Sequence, residues 1–120
     1  MEIYNQDQFD DRLKSKIIAT ENEILDKICS CLEESNDIDS FICEIIRLNT
    51  IDDETNFNYF EPGTSTSIGI EVTVDNEVQE YYIPIWNCSR SFFRKVKGEL
   101  NVDSMTEVSQ EVHEFIESLM

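Results

Sequence analysis

The chain has 120 residues, of which 26 are acidic and 9 basic, so its formal net charge at pH 7 is -17. A chain of this length is most simply one domain spanning residues 1–120, and its 40% hydrophobic content supports a packed core rather than disorder. No stretch approaches the roughly 20 apolar residues that cross a bilayer. The start of the chain has neither a basic nor an apolar leader, so a cytoplasmic location and reduced cysteines are expected.

The N-terminal half is predicted to be helical. Apolar residues recur at helical spacing over 5–34, and Asp7 is the expected N-cap. The capping-box pattern that begins at Thr20 favours a break into two helices there, although one continuous helix is the alternative. A further short helix is predicted over 38–48, where isoleucine and phenylalanine also recur at helical spacing.

A β-hairpin is predicted over 66–86. Apolar and polar residues alternate along its first arm, and a β-rich run follows the turn residues Asp75 and Asn76. Alternating aromatic residues allow a third strand near 57–60. A helix over 90–97 that ends at Gly98, and a closing helix after Ser104, complete the chain. The expected fold class is therefore α+β, with N-terminal helices, a small antiparallel sheet and two C-terminal helices.

No motif in the sequence indicates catalysis, a metal or a cofactor. Cys29 and Cys31 are one residue too close for the C-x-x-C spacing of zinc and redox sites. The acidic run at 52–54 lacks the alternating pattern of a calcium loop, and the three glycines form no phosphate-binding loop. The chain's one histidine, His113, lies on the closing helix without a neighbouring nucleophile. We therefore predict a protein that is not an enzyme and needs no cofactor or metal.

The acidic residues are concentrated in the middle of the chain. Between residues 28 and 89 there are thirteen acids and one base, Arg47. A field of this sign suits a basic protein partner and repels nucleic acid and anionic membranes. The hairpin and the loop before it combine acids with aromatic residues, which are favoured at interfaces. The predicted partner-binding residues are Asp52, Asp53, Glu54, Tyr59, Phe60, Glu61, Glu71, Asp75, Glu77, Glu80 and Tyr81. The helical acids Glu33, Glu34, Asp37 and Asp39 form a competing surface.

In small size, reduced cysteines, extreme acidity and lack of a catalytic motif, the chain resembles the bacterial immunity proteins, which are cytosolic antidotes to nuclease toxins of the contact-dependent or colicin-like kind. The resemblance implies a tight one-to-one complex with a basic toxin domain. It implies no particular fold, because such families adopt many.

Three other functions are compatible with the same sequence. A phage-encoded inhibitor, such as an anti-CRISPR or other DNA mimic, would also use an acidic surface. A small adaptor or oligomerisation module would instead use exposed apolar surface. An enzyme without a recognised motif is the third alternative.

Overall fold

The computed structural model describes residues 1–49, 57–91, 94–102 and 104–119. Within these ranges the chain has the α+β class, with five strands and two α-helices. In chain order the elements are β1 (Glu2–Asn5), a short 3-10 helix (Gln6–Gln8), α1 (Asp11–Glu33), β2 (Ser40–Asn49), β3 (Thr64–Val74), β4 (Glu77–Arg90), β5 (Val96–Leu100) and α2 (Met105–Ser118).

The five strands form one antiparallel sheet in the order β1-β5-β4-β3-β2. α1 packs against α2 and against β2, β3 and β4, so the two helices cover one face of the sheet. The core lies between the helices and that face, where apolar side chains are removed from water. Its most deeply buried members are Ile17, Ile24, Ile28, Leu32, Ile68, Val72, Ile85, Trp86, Cys88, Leu100, Val108 and Val112.

The predicted hairpin is confirmed as β3 and β4, which extend beyond the predicted bounds at both ends. Asp75 and Asn76 form its turn with φ angles of 51° and 68°, the left-handed conformation that a two-residue hairpin turn requires. The closing helix is also confirmed as α2. The Ser104 side chain accepts a hydrogen bond from the backbone N–H of Glu107 at 3.1 Å and so caps it.

A β-bulge in β4 shapes the core at the other end of the hairpin. The register between β3 and β4 shifts between Thr66 and Ser67, so the consecutive residues Ile85 and Trp86 are both buried. The Trp86 ring lies over Gly98 of β5, where a Cβ atom would overlap it. Trp86 also donates a hydrogen bond from Nε1 to the backbone oxygen of Tyr59 at 2.7 Å.

The predicted arrangement of N-terminal helices is wrong. The chain begins with β1 and the 3-10 helix, and Asp10, not Asp7, caps α1 by accepting from the N–H of Leu13 at 2.8 Å. α1 then continues without a break through Thr20. The Thr20 hydroxyl donates to the carbonyl of Lys16, within the helix, instead of capping a new one.

The helix predicted over 38–48 is also wrong, because this segment is strand β2. Four of its residues are isoleucine or phenylalanine at 41, 42, 45 and 46, and such β-branched and aromatic residues favour strands. They occupy both faces of the strand. The alternation that normally identifies a strand is therefore hidden, and the spacing imitates a helix.

The two C-terminal helices are reduced to one. In the segment predicted as a helix over 90–97, Arg90 ends β4 and Val96 begins β5, while residues 92–93 lie outside the described residues. Arg94 has a φ of 62°, which a helix does not accommodate, and the N–H of Arg94 donates to the carbonyl of Ser91 at 2.8 Å. Gly98 does not end a helix but lies within β5.

The third strand suggested near 57–60 is a turn. The Asn58 side chain accepts a hydrogen bond from the N–H of Phe60 at 3.0 Å, and the N–H of Glu61 donates to the Asn58 carbonyl at 3.3 Å. Asparagine is favoured in turns for this reason. The turn delivers Tyr59 into the core.

Candidate interaction surface

The face of the sheet opposite the helices, called here the open face, is left to solvent. Directly paired residues of antiparallel strands point to the same side, so the register identifies which side chains share this face. Along β2, β3 and β4 they are Ile42, Glu44, Ile46, Leu48, Ser65, Ser67, Gly69, Glu71, Thr73, Val78, Glu80, Tyr82, Pro84 and Asn87. Ile42, Leu48, Val78 and Tyr82 are each more than half exposed. An apolar patch of this kind on a sheet marks an interaction surface more often than scattered exposed side chains do.

A depression of about 700 Å³ runs along β3 and is called here the β3 trough. Its lining residues are Ile46, Leu48, Ser65, Thr66, Ser67, Tyr82, Pro84, Trp86 and Asn87. Ser65 and Ser67, the open-face residues of β3 along this depression, are small, whereas those of β2 and β4 beside them are large. The difference in side-chain size between neighbouring strands therefore produces the trough.

Three glutamates of the open face, Glu44, Glu71 and Glu80, lie beside the β3 trough and are called here the open-face acids. Glu71 and Glu80 are directly paired across β3 and β4, a placement in which like charges destabilise a sheet. A smaller depression contains all three acids and shares Ile46 and Tyr82 with the trough as lining residues. The apolar and acidic parts of the surface are therefore contiguous.

No basic side chain offsets these acids on the described open face of β2, β3 and β4. In the described chain, ion pairs join Lys16 to Glu2, Arg47 to Glu21 and Lys97 to Glu99, and none includes an open-face acid. The Tyr82 hydroxyl donates to Oε2 of Glu80 at 3.2 Å, and this hydrogen bond to a carboxylate raises the pKa of Tyr82. The acidic part of the surface is thus available to an external cation.

The structure brings together some of the predicted partner-binding residues. Glu71 and Glu80 lie on the open face, and Asp75 and Glu77 are exposed at or beside the hairpin turn. The N–H of Asp75 donates to the Asp39 side chain at 3.0 Å, so the acidic surface of the turn is continuous with part of the competing helical group. Asp39 itself precedes β2 and is not helical.

Other predicted residues lie elsewhere. Tyr59 is buried at 5% exposure, and Phe60 is half-buried with its ring stacked on that of Phe9, while Glu61 is half-buried in the same turn. Tyr81 points to the helix side, where its hydroxyl donates to Glu111 and its ring packs against Phe115. Asp52, Asp53 and Glu54 lie outside the described residues.

The sequence patterns do not predict the apolar half of this surface. Tyr82, not Tyr81, is the outward tyrosine of β4, and Ile42 and Leu48 lie in strand β2 instead of the predicted helix. The alternation of side chains along the second hairpin arm contains the missing information. Successive residues of a strand point to opposite faces, so Tyr82 lies on the open face because its neighbour Ile83 is buried on the helix side.

A buried polar cluster beneath the sheet was also missed. Glu21 is fully buried, and its Oε1 accepts a hydrogen bond from the Tyr59 hydroxyl at 2.8 Å, while a guanidinium nitrogen of Arg47 lies 3.9 Å away. Oε2 of Glu21 accepts no hydrogen bond from the part of the chain that the structure describes. Burial raises the pKa of Tyr59. The cluster joins α1, β2 and the 57–60 turn. Glu21 follows the buried Ile17 by four residues, so the spacing of the helix places both side chains on the buried face of α1.

Little else in the described chain suggests chemistry. Within 1–49, 57–91, 94–102 and 104–119, no three His, Cys, Asp or Glu side chains converge as metal ligands. His113 is exposed on α2. The four cysteines are free thiols, and burial raises the pKa of the Cys88 thiol to about 11, away from reactivity at neutral pH. No described helix combines the length and apolar character needed to cross a membrane.

No family model, curated protein or solved structure matches this chain. The open face is therefore the feature of the molecule from which a function can be inferred.

Proposed function

We propose that this chain is an inhibitor protein that binds one basic protein partner in the cytoplasm and neutralises it, as the immunity protein of a nuclease toxin does. The observation that carries the proposal is the open face, where the open-face acids adjoin exposed apolar side chains and the described residues of β2, β3 and β4 place no basic side chain beside them. Nuclease active sites present Lys and Arg to phosphate. A surface of opposite charge accelerates association with such a site, and apolar contacts slow dissociation.

The charge arrangement supports an external partner more than a role in folding. Glu71 and Glu80 repel each other across paired strands, which lowers stability. A basic partner would relieve this repulsion in the complex. Protein stability is commonly sacrificed at functional surfaces in this manner.

The exposed apolar residues also suit the second candidate, an adaptor or oligomerisation module. Pairing of two copies through the open face would bring two sets of Glu44, Glu71 and Glu80 together without an intervening base, which is unfavourable. Sedimentation equilibrium measures this directly. A monomer over the micromolar range is expected, and a dimer lost on Leu48→Ser substitution would favour the second candidate.

The test of the proposed function compares three baits in affinity capture from the native host, followed by mass spectrometry. They are the wild type, a sheet variant that replaces Glu44, Glu71 and Glu80 by Lys, and a helix variant that replaces the exposed residues Glu23, Glu114 and Glu117 by Lys. The two variants change the net charge equally. They therefore separate the position of the charge from its total amount.

A basic protein should be retained in one-to-one ratio by the wild type and the helix variant, and lost with the sheet variant at moderate salt. The purified partner should cleave RNA or DNA, and the wild type should block that cleavage. Retention of no basic protein, or a partner whose activity is unaffected by the bound chain, would contradict the proposal.

A further inference from the structure

The β3 trough has the dimensions of a site for apolar side chains. Its floor contains Ser65 and Ser67, and its sides are formed by Ile46 and Leu48 on one strand and by Tyr82 and Pro84 on the other. Leu48 and Tyr82 are more than half exposed although both are large. An apolar side chain laid between them would remove these surfaces from water, which is the main favourable term in protein association.

The smaller depression that contains the open-face acids, called here the acidic depression, adjoins the trough. Ile46 and Tyr82 line both of them. The Ile46 side chain lies over Gly69, which lines the acidic depression only. Four strand positions separate Ser67 in the trough from Glu71 in the acidic depression, which is about 13 Å along an extended chain. The two parts are therefore close enough for one short segment to occupy both.

We propose that the trough and the open-face acids form one bipartite docking site for an extended segment of a protein partner, with an apolar side chain in the trough and a Lys or Arg at Glu71 and Glu80. This inference rests on the proposed function, and it adds the place and the chemistry of recognition. The basic side chain would offset the two facing carboxylates. The apolar side chain would supply the contact that charge alone does not give.

The charge of the site selects this occupant over others. Phosphate groups of nucleic acids or lipids would be repelled by these carboxylates, for which the described residues supply no ion pair. A second copy of this chain, with its net charge of -17, would place like charges on the same surface. A segment that is basic but not apolar would leave Leu48 and Tyr82 uncovered.

The test uses the full-length protein, labelled with ¹⁵N, and three synthetic nine-residue peptides. The first contains two Leu and two Arg, with each Leu four positions from an Arg in a Gly/Ser background. The second replaces Leu by Ser, and the third replaces Arg by Glu. Titration of each peptide is followed by amide chemical shifts, which report both the location and the affinity of weak binding.

The Leu/Arg peptide should shift the amides of Ser67, Gly69 and Tyr82 and leave those of α1 and α2 unchanged. Both altered peptides should bind at least about tenfold more weakly, because each lacks one of the two contacts. Shifts located on the helices, or equal binding of all three peptides, would overturn the docking site.

Three protein variants sharpen the test. Ser67→Trp fills the trough and should weaken the Leu/Arg peptide by about tenfold or more, whereas Thr73→Trp, on the same face of the same strand, should change its affinity by less than about twofold. Leu48→Ser removes one side of the trough at an exposed position and should weaken binding several-fold. Unchanged affinity in Ser67→Trp and Leu48→Ser, with dispersed amide spectra, would also overturn the inference.

The outcomes separate this inference from the proposed function. If a basic partner is captured and inhibited while the peptide and trough variants show no effect, the docking site is wrong and the inhibitor function stands. If the peptide binds in the trough but no basic partner is captured, the recognition chemistry stands and the inhibitor function is wrong.

Discussion

At the scale of single residues, Glu21 is the one charged side chain on the otherwise apolar buried face of α1. It is fully buried, it accepts one hydrogen bond from Tyr59, and the nearby Arg47 side chain is 43% exposed. Water screens an exposed guanidinium, so the contact at 3.9 Å contributes less than a buried pair would. The Tyr59 hydroxyl is therefore the main group that satisfies this carboxyl group.

Substitutions at these two positions should have unequal effects. Tyr59→Phe removes the one described hydrogen-bond donor to the Glu21 side chain, which should lower the free energy of unfolding by about 1–3 kcal/mol. Glu21→Gln retains an acceptor for Tyr59 and should cost less. Urea unfolding of both single variants and of the double variant measures this. A Tyr59→Phe variant as stable as Glu21→Gln would contradict the assignment.

Two glycines of the sheet should also differ in their tolerance of a methyl group. A Cβ atom at Gly98 would overlap the rigid Trp86 ring in the core, so Gly98→Ala should destabilise by roughly 1–3 kcal/mol or more. At Gly69 the clash is with the terminal carbon of Ile46, which can rotate towards solvent, so Gly69→Ala should cost under about 1 kcal/mol. Thermal unfolding of the two variants provides the comparison, and equal destabilisation would be inconsistent with these packing environments.

At the scale of elements, β2 explains both an error of prediction and the character of the surface. Its apolar residues face the helices on one side and the open face on the other. A strand with two apolar faces is usual when both are covered. Here one of them is open to solvent, and this is the feature that indicates a docking role.

Strand β4 connects the two faces through neighbouring tyrosines. Tyr82 contributes to the β3 trough, whereas Tyr81 donates a hydrogen bond to Glu111 of α2 and packs on Phe115. The hydrogen bond to the Glu111 carboxylate raises the pKa of Tyr81 to about 12. This contact fixes α2 against the sheet.

The Tyr81 contact predicts a loss of stability at alkaline pH. The unfolded chain releases the tyrosine proton near pH 10, whereas folded Tyr81 retains it to about pH 12, so the free energy of unfolding should fall as pH rises through this interval. The contribution is fully present below about pH 10. Tyr81→Phe should make the decline shallower in urea unfolding series from pH 9 to 11.5. Tyr82→Phe is the comparison, because Tyr82 also donates to a carboxylate, Glu80, but at an exposed position, so its effect on the slope should be smaller. A Tyr81→Phe variant with the wild-type slope would refute the role of Glu111.

At the scale of the whole molecule, acidic residues exceed basic ones by 17. The three ion pairs of the described chain involve only three of the acids. Most acidic side chains therefore contribute to self-repulsion, which opposes the compact state.

Added salt should stabilise the molecule. The Debye length falls to about 10 Å at 0.1 M salt and about 3 Å at 1 M, which screens repulsion between surface carboxylates. The Tm should rise with NaCl concentration at pH 7. It should rise less for the helix variant, in which Glu23, Glu114 and Glu117 are replaced by Lys, because its net charge is less negative. A flat or falling curve for the wild type would show that the acids are compensated locally.

The amino-acid sequence by itself determined the elements whose information is local. The β3–β4 hairpin follows from alternation and from Asp75 and Asn76, which tolerate the left-handed turn, and α2 follows from its stripe and the Ser104 cap. The acidic character of the middle of the chain is likewise a property of composition. Glu71, Asp75, Glu77 and Glu80 could be placed near the hairpin from sequence alone.

Only the tertiary structure decided which face each residue occupies. β2 became a strand because it pairs along its whole length with β3, and β5 formed because Gly98 lets Trp86 pack against the sheet. The exposure of Ile42 and Leu48 and the burial of Tyr59 depend on where the helices cover the sheet. These are non-local contacts, and the periodicity of a short apolar segment does not contain them.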